Sequence, residues 1–321
     1  MTKREEIIRI FPEYMKSRWE QALLQVDKLQ EIRLGVGQPV RLITAGEERF
    51  LSGKGNLGRD WQDAWYMTER DMEEILKNIC RYSMYAFENE IRQGFLTVSG
   101  GHRIGMAGQV VLNENGMIRN MTHIRFMNIR ISHEVIGAAD AVMPFLYKEN
   151  RFLNTLLVSP PGCGKTTLLR DIIRQVSEGN IYGTGRQVGV VDERSEIAGS
   201  FMGIPQNHVG FRTDVLDGSP KVQGMMLLMR SMAPAVVAVD EVGGEEDLRA
   251  LYQILQSGSS VVATMHGDSM EDVQSHMRHA GILFQRYLFL QKQKGICQIR
   301  EMYDEDQKRI AGMWGEGKCS A

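Results

Sequence analysis

The chain changes its hydrophobic grammar near the middle. In the first half, apolar positions alternate with polar ones over short stretches or recur at helical spacing. Further on they gather in unbroken runs: TLLVS (155–159), QVGVVDE (187–193), AVVAVDE (235–241) and SVVATMH (260–266). A strand covered by helices on both faces has no side turned to water and needs no alternation, so runs of this kind predict buried parallel strands. Helical stretches are expected at 165–176, 221–232, 245–257 and 270–280. Repeated strand and helix units predict a doubly wound α/β domain, whose ligands bind at the carboxyl ends of the strands.

The first half predicts another architecture. Two helical stretches open it, and EIRLGVGQPVRLIT and EERFL follow with partial alternation and turn signals between, as in a small sheet. Thr68 and Asp71 stand as a capping box ahead of Met72, Ile75, Leu76 and Ile79, which predicts a helix running to about Asn89. FLTVSGGHRIGMAGQVVL and MIRNMTHIRFMNIRI flank Asn113-Glu-Asn-Gly116, whose Asn-Gly pair suits the positive φ angles of a tight hairpin turn. The expected organisation is an α+β domain at 1–140 and an α/β domain at 141–321, with Gly137-Ala-Ala-Asp140 as a hinge.

Composition narrows the function classes. Of 321 residues, 43% are hydrophobic and 24% charged, enough apolar mass for two cores, and the formal net charge of −2 argues against a nucleic-acid scaffold or a membrane-surface binder. No apolar run approaches the ~20 residues of a spanning helix, and the opening MTKREEIIRIF lacks a signal-peptide core, so a cytoplasmic protein is expected. Cys80, Cys163, Cys297 and Cys319 are widely spaced with no CxxC pair, and are expected to be free thiols.

The strongest chemical signal follows the first apolar run. Ser159-Pro160-Pro161-Gly162-Cys163-Gly164-Lys165-Thr166 leads into Thr167 and an amphipathic helix, the strand, loop and helix context of a phosphate-binding loop. Its glycines let backbone N–H groups turn toward a phosphate, Lys165 reaches the β- and γ-phosphates of ATP, and the Thr166 hydroxyl joins the Mg²⁺ shell at the helix N-terminus. Ser159 occupies the place of the first glycine of G-x-x-x-x-G-K-[ST].

Acidic residues end two further runs. Asp240 and Glu241 have the form of a Walker B element, with Asp240 expected on Mg²⁺ and Glu241 expected to polarise the attacking water. Asp192-Glu193-Arg194-Ser195-Glu196 sets a second acidic group at the same sheet edge, and Glu193 competes with Glu241 for the role of base. Thr264 and His266 end a third run, at positions suited to sensing a γ-phosphate. Arg103 and Arg130, on strands ahead of the phosphate loop, are candidates for stabilising charge in phosphoryl transfer. His276 and His279 read as a surface face, and Met225, Met226, Met229 and Met232 as helix packing.

The order of phosphate loop, acidic box (VVDERSE), Walker B (VVAVDEVGG) and His box (VVATMHG) resembles the traffic ATPases of type II and type IV secretion and type IV pili. EIRLGVGQPV, SGGHRIGMAGQVV, NIRISHEVIG, SPPGCGKTTLLRD and DVLDGSPKVQGMMLLMRSMAP together resemble the stage III sporulation AA family of endospore-forming bacteria, from about residue 31 to 267. The resemblance implies a RecA-like P-loop ATPase domain and a hexameric ring of identical chains. It further implies membrane proteins of a channel between mother cell and forespore as partners, and a place at the inner face of the mother-cell membrane without a span of its own. By the same resemblance Lys165 and Thr166 match the phosphate-loop pair, Glu193 and Glu196 the acidic box, Glu241 the Walker B glutamate and His266 the His box. Arg103 and Arg130 fall near linker-side arginines that contact nucleotide in the traffic ATPases. Where those commonly carry Gly-Glu-x-Arg-Asp, this chain has Asp240-Glu-Val-Gly-Gly244. A RecA-like nucleic-acid motor and a nucleotide-gated structural subunit are the competing readings.

Overall fold

The computed structural model describes residues 2–44, 46–81, 83, 87–277, 284–293 and 296–310. The chain divides into two compact units, Met1–Ser132 and His133–Ala321. The division falls ahead of the expected hinge, and the reason is local. Ala138 and Ala139 are buried in the core of the second unit, and Ala139 donates its N–H to the buried carboxylate of Asp171 at 2.8 Å. Gly137-Ala-Ala-Asp140 is therefore packed against the second unit.

The first unit opens with α1 (Lys3–Ile8) and α2 (Glu13–Leu23). Its seven strands are β1 (Leu29–Gly35), β2 (Arg41–Thr44), β3 (Glu47–Leu51), β4 (Leu57–Gly58), β5 (Phe95–Val98), β6 (His102–Leu112) and β7 (Ile118–Arg130). They pair antiparallel in the order β4-β3-β2-β1-β7-β6-β5. Alternation sends Ile32, Leu34, Leu42, Ile104 and Ile129 into the core and leaves Arg33, Arg41, Arg103 and Arg130 on the other face. The helix opened by the Thr68–Asp71 capping box, α3 (Glu69–Ile79), ends ten residues before the expected Asn89. Arg81 takes a left-handed φ of 47°, which stops a right-handed helix, and a separate short helix, α4 (Glu88–Gln93), follows. The β6–β7 turn also differs from expectation. Of the Asn-Gly pair only Gly116 has positive φ, and the Asn113 side chain closes the turn by accepting the N–H groups of Asn115 and Met117.

The second unit holds a seven-stranded sheet. In chain order its parts are a ribbon of β8 (Tyr147–Lys148) and β9 (Arg151–Phe152), β10 (Thr155–Ser159), α5 (Lys165–Glu178) and a ribbon of β11 (Gly179–Asn180) and β12 (Gly183–Thr184). Then come β13 (Val188–Asp192), β14 (Thr213–Asp217), α6 (Lys221–Ser231), β15 (Val236–Val239), α7 (Glu245–Gln256), β16 (Ser260–His266), α8 (Met270–Met277), β17 (Arg286–Gln293) and β18 (Ile296–Asp304). The sheet order is β14-β13-β15-β16-β10-β17-β18, parallel except for β18. Successive residues of each run enter opposite cores. Leu157, Val190, Ala238 and Val262 pack with Leu168, Ile172 and Val176 of α5, whereas Leu156, Val191, Val239 and Ala263 pack with Met225 of α6, Leu251 of α7 and Val273 of α8. Three layers result, and the runs need no alternation because helices cover both sides.

The four expected parallel strands are all present. β14, half-buried along its length at the sheet edge, and the β17–β18 pair were not anticipated. The last residues of the expected helix at 270–280, together with His279 and Cys319, lie outside the described residues. Cys80, Cys163 and Cys297 are free and buried.

Gly224, inside α6, lets the helix approach β13 and β14 closely: a Cβ there would stand 2.7 Å from Val191 Cγ1 and 3.3 Å from Leu216 Cδ2. Gly to Ala in a helix interior ordinarily stabilises by up to about 1 kcal/mol. At this position crowding opposes that gain, and Gly224→Ala is expected to destabilise by about 1–2 kcal/mol, read as a lower urea midpoint at unchanged m-value.

Candidate nucleotide-binding site

The phosphate loop is shaped by its glycines. Gly162 (φ 73°) and Gly164 (φ 80°) are left-handed, a conformation that L side chains rarely adopt, and α5 begins at the next residue, Lys165. Ser159 is still strand, so the place where the motif carries a glycine demands no left-handed backbone. Its hydroxyl donates to the Pro160 carbonyl at 2.8 Å, capping the entry to the loop. Cys163 is buried beneath the loop, and Thr167 is half-buried on the first turn of α5.

Lys165 is 6% exposed. Its ammonium donates to the carbonyls of Ser159 (2.8 Å) and Pro160 (3.2 Å) and to Ser159 Oγ (3.2 Å), and it meets His266 Nδ1 at 3.2 Å. Burial pulls its pKa down, while the charges of Asp240 and Glu241 oppose the shift. An ammonium has no lone pair, so Nδ1 of His266 must accept, which assigns the ring proton to Nε2. Nε2 then donates to Glu241 Oε1 at 3.0 Å. The parallel register makes this bridge available, because Ser159 of β10 lies directly beside His266 of β16.

Asp240 follows β15 and meets the Thr166 hydroxyl at 3.0 Å. Thr264, expected to sense phosphate, is instead fully buried and donates its hydroxyl to the other Asp240 oxygen. Burial raises the Asp240 pKa against the hydrogen bonds from Thr264 and Thr166. Glu241 takes a left-handed φ of 53°, with its N–H given to Thr264 Oγ1 (2.8 Å) and Asp240 Oδ1 (3.1 Å). Its carboxylate lies 3.4 Å from Arg194 Nη1. Burial pushes the Glu241 pKa up, but the His266 hydrogen bond and the charges of Arg194 and Lys221 outweigh it and hold the group below the usual carboxylate range.

The acidic box separates into structural and exposed parts. Asp192, 1% exposed, accepts the N–H groups of Glu196 (2.8 Å), Ile197 (3.1 Å) and Ala198 (2.8 Å) and so folds the loop that carries the others. Burial pushes its pKa up to about 6 despite these bonds. Arg170 of α5 holds the same loop through the Glu196 and Ile197 carbonyls. Glu193 and Glu196, with Asp192, Arg194, Asp240 and Glu241, line a hollow of about 20 Å³, roughly the room of one water. Among the described residues no group of three or more His, Cys, Asp or Glu side chains would cage a metal. A hydroxyl and one carboxylate, Thr166 beside Asp240, instead suit Mg²⁺ that arrives with phosphate oxygens and water.

The structure thus gathers Ser159, the loop, Lys165, Thr166, Asp240, Glu241, His266, Glu193 and Glu196 at one edge of one sheet. Arg103 and Arg130 belong to the first unit, directly opposite each other on β6 and β7, with the Arg103 guanidinium 3.7 Å from the centre of the Phe95 ring. His276 is exposed and bonds to the Asp272 carbonyl. Met225 is buried under α6, as packing predicts, while Met232 is half exposed. Three features escaped the sequence: the Arg194 contact, Lys221, whose ammonium donates to the Glu241 carbonyl at 2.6 Å, and the left-handed Glu241 itself.

A family model described as sporulation stage III, protein AA, matches residues 1–310. The chain belongs to that family. A relative within it, stage III sporulation protein AA of Bacillus subtilis (strain 168), is 39% identical over 98% of this chain and 99% of its own length. The uncharacterized protein ycf45 of Porphyra purpurea is 24% identical over 84% of this chain and 41% of its own. Among solved structures, the pilus retraction motor PilT with bound ADP aligns over 85% of this chain and 76% of its own, with a TM-score of 0.58 and 14% identity. The ATPase DotB of Legionella pneumophila aligns over 94% and 79%, with a TM-score of 0.55 and 13% identity. The chain shares the fold of these ATPases, with a RecA-like α/β unit that follows a smaller α+β unit in the sequence.

Two outcomes follow from the site's geometry. A left-handed non-glycine residue costs on the order of 1–2 kcal/mol, so Glu241→Gly is expected to raise thermal stability, by up to about 1 kcal/mol once the freer unfolded chain is counted. Asp192 has its pKa raised from 3.8 to about 6 on folding. The folded state therefore binds the extra proton between those values, and this stabilisation is complete below pH 4 and lost as pH rises through 6. In urea titrations the stability difference between wild type and Asp192→Asn should carry that slope, on the order of 1.4 kcal/mol per pH unit within the window.

Proposed function

We propose that the protein hydrolyses ATP and that the released energy drives a channel or secretion-like assembly during sporulation. The observation that carries this reading is the convergence of Lys165, Thr166, Asp240, Glu241 and His266 from three adjacent parallel strands and the phosphate loop. ATP would lie with its phosphates over Gly162–Thr166, taking the place of the Ser159 and Pro160 carbonyls around the Lys165 ammonium. Thr166 and Asp240 would hold Mg²⁺, which supplies charge neutralisation on the phosphate oxygens. Glu241 is the better candidate for the base. It is ionised, its Oε1 is oriented by His266, and it borders the one-water hollow. Glu193, more exposed and 3.7 Å from Lys221, is the second candidate. Arg103 and Arg130 are proposed to bring positive charge to the phosphates from the first unit.

The family resemblance supports a homo-hexameric ring with membrane proteins of the mother cell–forespore channel as partners and a peripheral place at the mother-cell membrane. Among the described residues no helix is long and apolar enough to cross a membrane.

The test is phosphate release from ATP over a range of protein concentrations, with and without DNA. Turnover that climbs with concentration and ignores DNA is expected. Lys165→Ala should abolish binding or turnover. Glu241→Gln should retain ATP and lose at least about 100-fold in kcat. A Glu241→Gln protein at the wild-type rate would move the base to Glu193, and binding without turnover in the wild type would favour a nucleotide-gated subunit.

A further inference from the structure

Lys221 is the first residue of α6, following Pro220 at the N-cap. A cation there faces the positive end of the helix dipole, an arrangement disfavoured by about 0.3–1 kcal/mol. The side chain is nonetheless held, 19% exposed, by groups from three other segments. Its ammonium donates to the main-chain carbonyl of Glu241 at 2.6 Å and stands 3.7 Å from both Glu193 and Asp247. Asp247 itself accepts the N–H groups of Gly243 and Gly244, which open α7. One ammonium therefore joins the acidic box, the residue after Asp240 and the start of α7.

The residue so held is the strained one. Glu241 is left-handed, and its N–H is fixed by Asp240 and Thr264. With the carbonyl fixed by Lys221, both ends of the residue are pinned, and the φ of 53° is over-determined as strained residues require. That backbone aims the carboxylate at His266 and at the hollow beside Glu193. We propose that Lys221 is a positioning residue, which acts on hydrolysis by locking Glu241 in its left-handed conformation and takes no part in binding ATP. The kinetic side of this inference rests on the hydrolytic reading above; the structural side does not.

The experiment uses the full chain with Lys221→Met and Lys221→Arg, each alone and combined with Glu241→Gln. Lys221→Met is expected to leave the KM for ATP within about twofold and to lower kcat by about 100-fold, the scale of a misplacement near 1 Å. Lys221→Arg should restore most of that loss, and Lys221→Met should cost nothing further once Glu241 is Gln. A raised KM at unchanged kcat, or an equal loss in the Glu241→Gln background, overturns the proposal. A crystal structure of Lys221→Met provides the second arm: residue 241 is expected to leave positive φ. If it stays left-handed with its carboxylate in place, the proposal fails, whether or not the wild type turns over ATP. A wild type without turnover sinks the hydrolytic reading, and the structural arm alone then decides the role of Lys221.

Discussion

A buried ammonium governs the second unit. Taking a lysine charge out of water costs several kcal/mol unless other groups replace the lost hydration. For Lys165 those groups are the Ser159 and Pro160 carbonyls, the Ser159 hydroxyl and the His266 ring. They lie at the ends of two strands, so β10 and β16 must run side by side and stop at the same level, with Ser159 beside His266. β15 joins the other side of β16 with Val239 beside Ala263, which places Asp240 against Thr264 and Thr166. The same carbonyls that satisfy Lys165 are ones a phosphate could displace. The loop thus satisfies its buried cation with its own carbonyls and hydroxyl.

Of the carboxylates gathered at this sheet edge, Asp192, Asp240 and Glu241 have surroundings that divide the work among them. Asp192 is enclosed and raised to about 6, Asp240 is raised by burial, and Glu241 is lowered by the His266 hydrogen bond and neighbouring charges. Divergent environments of neighbouring acids are how one fold assigns separate roles to like groups. Asp192 spends its lone pairs on the backbone of the loop that bears Glu193 and Glu196. Asp240 keeps company with two hydroxyls, a setting suited to a hard cation. Of these three, Glu241 alone combines an ionised carboxylate with partial exposure and a histidine donor.

Much of this was legible in the sequence because the signals were local. Unbroken apolar runs announced strands covered on both faces, and the spacing from Ser159 to Thr167 announced the loop and the start of α5. The acidic pair after β15 was likewise visible, as two carboxylates that follow a buried strand. What the sequence hid depends on distance along the chain. Thr264 reads as the polar end of a strand, but β15 beside it turns its hydroxyl onto Asp240. Lys221 reads as a helix-start lysine until Glu193, Glu241 and Asp247 are brought to it from three segments. The helix expected to continue past Ile79 failed for a related reason, since a left-handed arginine carries no mark in the residue letters.

The positive φ of Glu241 is where these contacts converge. Asparagine or glycine would adopt that conformation at less cost, yet neither carries an ionisable group. The position keeps a glutamate and holds it with a hydroxyl, a carboxylate and an ammonium, each itself buried or paired. Strain maintained by that many independent bonds fits a carboxylate whose direction matters more than its stability. The departure from Gly-Glu-x-Arg-Asp then takes on a physical form. No arginine follows two residues behind Glu241, and the positive charge beside its carboxylate comes from Arg194 of the acidic box. That charge is supplied across two strands, and it can serve Glu241 only while β13 and β15 stay paired.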